Sequence, residues 1–317
     1  MTTEKAEDNQ VQRERGLQVG GYRLVSIGGP GTMIGITGYH PTTASNRMLI
    51  GPRALLYLVG LTLAEIVTVL VDTRWGVIGH AVILAFLVAQ AGVNAFQVGL
   101  EIDAEHRSVE RLRANFLVVL AFVPLIRIVS IAMPLTEFPE WSWYGMIAIP
   151  LLAAAWAAAR ACGYSREELG VRMEWQPLAV AITILVGSSG IGLGYIEYRI
   201  LHPESLVDEL TTLQVLMVSV TLFIGTGFTE ELIFRGLLQV AGGELFGFVA
   251  GVIYASALFA VLHIGHRSLL NIGYVFVVAL AFGAIARRTR SLVGVTIAHG
   301  LTNICLFVLF PHLLRAT

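Results

Sequence analysis

Three short constellations late in the chain carry residue types that could do chemistry. They are Glu230-Glu231-Leu232-Ile233-Phe234-Arg235, Phe259-Ala260-Val261-Leu262-His263, and His299-Gly300-Leu301-Thr302-Asn303. On a helix, Arg235 lies one turn after Glu231, with the acid first, the favoured order for a helical ion pair. Glu230 points about 100° away from Glu231 and is left without the arginine. An acid without a partner in apolar surroundings is a candidate general base. His299 and Asn303 are four apart and face one spot, and two polar donors converging in a dry site suit stabilisation of a developing oxyanion. His263 follows Glu230 by 33 residues, with a turn expected near Ala241–Phe246, so a helical hairpin would bring the two to similar height. Each group alone could be interhelical hydrogen-bonding glue. Together on three successive segments, with two pairs at i,i+4 spacing, they favour a site.

The elements that must position these groups are membrane helices. The 317 residues have mean hydropathy +0.74, with 56% hydrophobic and 14% charged residues, whereas about a quarter of a soluble chain is charged. Apolar runs long enough to span are expected at 54–71, 76–98, 114–134, 141–161, 177–197, 213–238, 246–265, 269–286 and 292–310. The first is short and interrupted by Glu65, so eight or nine spans are expected. No dyad alternation of a barrel occurs, so the fold class is an all-α polytopic transmembrane bundle. With the N-terminus inside, twelve arginines are assigned to inside segments, Arg235 among them, and four (Arg74, Arg199, Arg267 and Arg315) to outside ones. That is a positive-inside bias and argues for a cytoplasmic N-terminus.

Three parts are expected: a cytoplasmic tail over 1–52, N-terminal helices over 53–176, and C-terminal helices over 177–317 with the motifs at 230–303. The tail has no signal-peptide pattern. It is expected to be partly disordered, with a turn-rich patch around Gly28–Gly38. The polar stretch Gly163–Trp175 is expected along the cytoplasmic surface. Outside the C-terminal helices, Glu65 and Arg127 suit an interhelical ion pair, and His80 and Asn94 suit interhelical hydrogen bonds. Gly247 and Gly251 form a small-xxx-small pattern for close helix packing. Net charge −1 and the lack of a dense basic patch argue against a nucleic-acid partner. Cys162 and Cys305 show no metal or disulfide pattern. No internal repeat suggests a transporter.

The three motifs resemble those of the CAAX-processing and bacteriocin-immunity protease family, also called Abi or type II CAAX-endopeptidase-like proteins, whose pattern is EExxxR, FxxxH and HxxxN/D in that order. The resemblance covers about residues 213–310. It implies a membrane-embedded peptidase in which Glu230 and His263 activate a water, His299 and Asn303 form the oxyanion hole, and Glu231, Arg235 and Phe259 support the site. It also implies a glutamate-type mechanism without a cofactor. Zinc is a minor alternative, since two histidines and a glutamate are an acceptable zinc set. The implied partners are a membrane-associated peptide or protein substrate and the lipid bilayer of a prokaryotic cell. Prenylation of that substrate and the oligomeric state are left open. A competing serine-protease reading rests on Gly187-Ser188-Ser189-Gly190, for which glycine packing is the simpler account. A non-catalytic immunity or scaffold protein of the same fold is the alternative from another class. With straight helices of equal placement, His263 and His299 would differ in depth by about 13 Å.

Overall fold

The computed structural model describes residues 18–19, 22–26, 34–39, 51–207 and 210–314. The chain divides into two units, Met1–Arg47 and Met48–Thr317. In the first, strands β1 (Gln18–Val19), β2 (Tyr22–Ser26) and β3 (Ile34–Tyr39) form an antiparallel sheet in that order. The expected turn-rich patch around Gly28–Gly38 is therefore strand from Ile34 onward, where β-branched Ile34, Ile36 and Thr37 favour extended backbone. The rest of that patch, and the expected disorder of the remaining tail, lie outside the described residues.

The second unit is all-α. Among the described residues nine helices are long and apolar enough to cross a membrane, and the protein is a multi-pass integral membrane protein. They are α1 (Pro52–Val71), α2 (Thr73–Leu100), α3 (Ala104–Ala132), α4 (Glu140–Cys162), α5 (Pro177–Leu201), α6 (Thr212–Phe246), α7 (Phe248–His266), α8 (Leu269–Thr289) and α9 (Val293–Leu314). Short polar caps start several of them: Asp72 accepts from the amides of Arg74 and Trp75, Asp103 from Glu105, and Ser268 from Asn271. Pro52 and Pro177 open α1 and α5, where a missing N–H costs nothing. Within α3, Pro124 cannot donate to the Leu120 carbonyl, and the helix loosens at Ala121.

Helix α6 is the main departure from the expected spans. It runs 35 residues rather than ending at 238, so Ala241–Phe246 is helix and not a turn. The chain reverses instead at Gly247, whose φ of +88° is open to glycine. Gly247 is thus the hinge of the α6–α7 hairpin and not a packing position. Gly251 does pack: a Cβ there would lie 2.5 Å from the Gly243 nitrogen. At about 1.5 Å per residue, α6 is longer than a hydrocarbon core is thick. Glu230 is 17 residues before Gly247, whereas His299 is seven after Leu292. The α6–α7 hairpin therefore extends further past the site than the α8–α9 turn does, which absorbs the depth mismatch expected from equal helices.

Close contacts hold the C-terminal helices. A Cβ on Gly190 of α5 would sit 2.2 Å from the Ala298 carbonyl oxygen of α9, and one on Gly227 of α6 would sit 2.9 Å from the Gly300 nitrogen. Ser188 and Ser189 face away from α9, are exposed, and donate to the carbonyls of Leu185 and Val186 in their own helix. Glycine packing, not nucleophilic serine, explains that motif. The stretch 163–176 lies against the α8–α9 turn: Leu292 N donates to Gly170 O at 2.9 Å and Ser291 Oγ to Arg172 O at 2.8 Å.

Glu65 on α1 and Arg127 on α3 form the expected ion pair, with Nε donating to Oε2 at 2.8 Å. His80 Nε2 approaches the same carboxylate at 3.3 Å but makes no hydrogen bond of good geometry. Arg235, included among the inside arginines, is buried within α6 and belongs to no loop.

Gly190→Leu should overpack the α5–α9 contact and destabilise the protein by about 1–3 kcal/mol, read as a clear fall in the melting temperature of the detergent-solubilised protein. Ser189→Ala should leave that temperature unchanged; equal loss in both would show that the serine, not the glycine, holds the seam.

Candidate functional site

The site is assembled around one carboxylate. Glu231 on α6 is fully buried, and a charge at that depth needs partners. Its Oε1 accepts from Arg235 Nη1 at 3.0 Å and from His299 Nδ1 at 2.8 Å. The i,i+4 pair is the one expected from spacing; the histidine from α9 is an addition that only tertiary packing supplies. Because His299 donates its Nδ1–H to Glu231, the ring is fixed in orientation with Nε2 directed to the other side. There it lies 3.7 Å from Glu230 Oε2, too long for a hydrogen bond, so this nitrogen is not committed. Glu230 is 31% exposed through its side chain, whereas Glu231 has no exposure. Two consecutive acids therefore occupy different environments: one paired and sealed, the other open to a cavity.

The two acids sit on a short α segment with irregular winding on both sides. Phe223–Phe228 and Leu232–Leu238 are π-helical turns on either side of Thr229–Glu231. Thr229 Oγ1 donates to the Ile224 carbonyl five residues back, in keeping with the wider winding. Such insertions rotate the following residues relative to a regular α-helix and recur at functional sites.

Glu230, His263, His299 and Asn303 all line one cavity of about 320 Å³. His263 lies in a 3₁₀ turn, Leu262–His266, that ends α7. Its Nδ1 donates to the Phe259 carbonyl at 2.8 Å, which leaves the Nε2 lone pair free. Asn303 Nδ2 donates one hydrogen to Thr226 Oγ1 at 2.7 Å, and Thr226 in turn donates to the Leu222 carbonyl. The second amide hydrogen of Asn303 is uncommitted. Phe259 sits at the centre: its ring centroid is 4.8 Å from that of His263, 5.9 Å from that of His299, and 4.4 Å from the Arg235 guanidinium carbon. The arginine thus spreads its charge over an aromatic face as well as to Glu231.

Spacing missed several cavity residues. Glu197, at the end of α5, is 7% exposed and lines the cavity together with Tyr144, Thr226, Thr229, His266 and Tyr274. An acid in an apolar run was a legible signal, but at the last position of the expected span 177–197 Glu197 reads as an interfacial group. The others carry no spacing that distinguishes them from ordinary helix-packing residues.

His299 spends Nδ1 on Glu231 and His263 spends Nδ1 on a backbone carbonyl, which orients each ring and leaves its Nε2 available. Among the described residues no three His, Cys, Asp or Glu side chains are arranged to hold an ion.

Residues 212–305 match the family model described as "Type II CAAX prenyl endopeptidase Rce1-like". That segment holds all three motifs and agrees with the family resemblance carried by their residues. The matched family is one of proteases, which supports a membrane protease here. No curated protein and no solved structure matches the chain.

Arg235→Ala removes one partner of a buried pair and leaves Glu231 with His299 alone, so stability should fall by about 3–5 kcal/mol. Thermal unfolding in detergent checks this. Unchanged stability, with only a function lost, would place Arg235 in the chemistry instead.

Proposed function

We propose that this protein is an intramembrane endopeptidase of the glutamate type, hydrolysing a peptide bond in a membrane-associated peptide or protein. The observation that supports it best is the single imidazole of His299 set between two unlike glutamates, in one cavity with His263 and Asn303. A water held between Glu230 and the free Nε2 of His263 gives a proton to Glu230 as its oxygen attacks the scissile carbonyl carbon. The carbonyl π electrons move to oxygen, and the resulting oxyanion accepts hydrogen bonds from His299 Nε2 and Asn303 Nδ2. With Nδ1–H already donated to Glu231, His299 donates from Nε2 as an imidazolium. Glu230 then passes its proton to the leaving amine as the C–N bond breaks. In this reading Glu231 and Arg235 do no bond chemistry; they orient His299, and Phe259 keeps both histidine rings apart and dry.

No metal enters this scheme, because base, water-positioning group and oxyanion donors are all protein side chains. We take a peptide ending in a prenylated cysteine followed by three residues as the substrate class to test, a choice that the description of the matched family supports. The arginine distribution supports a bundle with its N-terminus in the cytoplasm.

The test uses purified protein in lipid nanodiscs with two internally quenched peptides, one with a farnesylated cysteine before its last three residues and one without the lipid. Wild type should cleave the farnesylated peptide, and Glu230→Gln should lower turnover by roughly 10²–10⁴-fold at unchanged melting temperature. Cleavage of neither peptide would favour the non-catalytic immunity or scaffold reading. Turnover by Glu230→Gln near the wild-type rate would remove Glu230 as the base.

Turnover should also persist in excess chelator. Loss in chelator with recovery on added zinc, together with stoichiometric zinc by elemental analysis, would establish the zinc-dependent reading.

A further inference from the structure

Arg127 lies outside all three motifs, on a helix of the N-terminal half, yet it touches the chain beside His263. Its guanidinium is held in a fork by Glu65: Nε donates to Oε2 at 2.8 Å and Nη2 donates to Oε1. Nη2 also donates to the Leu262 carbonyl at 2.8 Å. Leu262 is the residue at which α7 tightens from α to 3₁₀ winding, and His263 is the next residue. Carbonyls near a helix C-terminus lose their intrahelical donors, so one arginine hydrogen bond there selects which way the final turn winds. The far end of the same turn is also tied to α1. Arg267, with φ +54°, donates from Nη2 to the Val69 carbonyl at 2.9 Å. The 3₁₀ turn carrying His263 is thus clamped at both ends to the N-terminal helices.

We propose that Arg127, locked by the buried Glu65 carboxylate, is a positioning residue that sets the backbone under His263 and so aims its Nε2 into the cavity. The proposal rests on the reading in which His263 holds the attacking water. Glu65 has no exposed surface, so the pair is an anchored strut and not a loose surface bridge. The planar fork matters. A lysine can neutralise Glu65 from the same position but cannot hold both carboxylate oxygens and a third acceptor in one plane. Small misplacements of a catalytic group, of the order of 1 Å, can cost about 10²-fold in rate.

The test is Arg127→Lys, which keeps the charge at Glu65, in nanodiscs with the farnesylated peptide. Amide hydrogen exchange should rise at least severalfold over residues 262–267 and stay unchanged in the remaining spans. In the same variant kcat should fall about 10- to 100-fold, with KM within about threefold of wild type. Combined with His263→Ala, Arg127→Lys should cause no further loss, since the strut then has nothing to aim. Unchanged exchange over 262–267 would overturn the tether. Local loosening with unchanged kcat would overturn the positioning role, as would loosening spread across the bundle or equal losses with and without His263. If Arg127→Lys fails to fold, Glu65→Gln carries the same measurements, because the amide oxygen keeps one acceptor for Arg127 while freeing the fork. Near-wild-type turnover by His263→Ala alone would overturn the role of His263 in the proposed function, and the exchange measurement would still read the tether.

Discussion

A carboxylate with no exposed surface must find its counter-charge and hydrogen bonds where it lies, and in this protein Glu231 imposes that condition on three helices at once. Arg235 answers it from the same helix and His299 from α9, while Phe259 of α7 covers the arginine. Because His299 spends Nδ1 on this carboxylate, its other nitrogen has only one direction left, toward Glu230 and the cavity. The geometry of the open acid follows from the pairing of the sealed one. Removing either partner would unbalance a buried charge as well as free a side chain, so stability and site geometry are joined in the same few atoms.

The scaffold meets this demand by letting helix backbones come very close. Gly190 admits the Ala298 carbonyl and Gly227 admits the Gly300 backbone, which places the His299 turn between α5 and α6 without intervening side chains. Without a hydrophobic driving force between helices in lipid, such contacts and polar pairs carry association. Glu230 and Glu231, consecutive on the short α segment between two π turns, project about 100° apart, so that one faces the seam and the other the cavity.

A second buried charge group, Glu65 with Arg127 and His80, repeats the pattern in the N-terminal helices. Here too the carboxylate is fully buried, but its arginine engages both oxygens in a fork, and the spare donor reaches a backbone carbonyl of another helix. The N-terminal helices are therefore joined to the motif-bearing ones by directed hydrogen bonds as well as apolar contact.

Hydropathy alone located the spanning helices of the described residues, though it left open whether the first made them eight or nine, because twenty or so apolar residues in lipid have only the helix as a way to satisfy their backbone. Spacing alone also found the Glu231–Arg235 pair, a local relation within one helix, and brought Glu230, His263, His299 and Asn303 under suspicion as expensive polar groups. Sequence did not reveal that α6 runs on to Phe246, because the reversal depends on Gly247 adopting a left-handed backbone rather than on any break in hydropathy. Nor did it reveal that His299 bonds Glu231 and turns its other nitrogen toward Glu230, that Asn303 leans on Thr226, or that Glu197 faces the cavity. Those relations join residues tens of positions apart. They are set by helix rotation, π winding and glycine-permitted approach, and periodicity within a single segment carries none of that information.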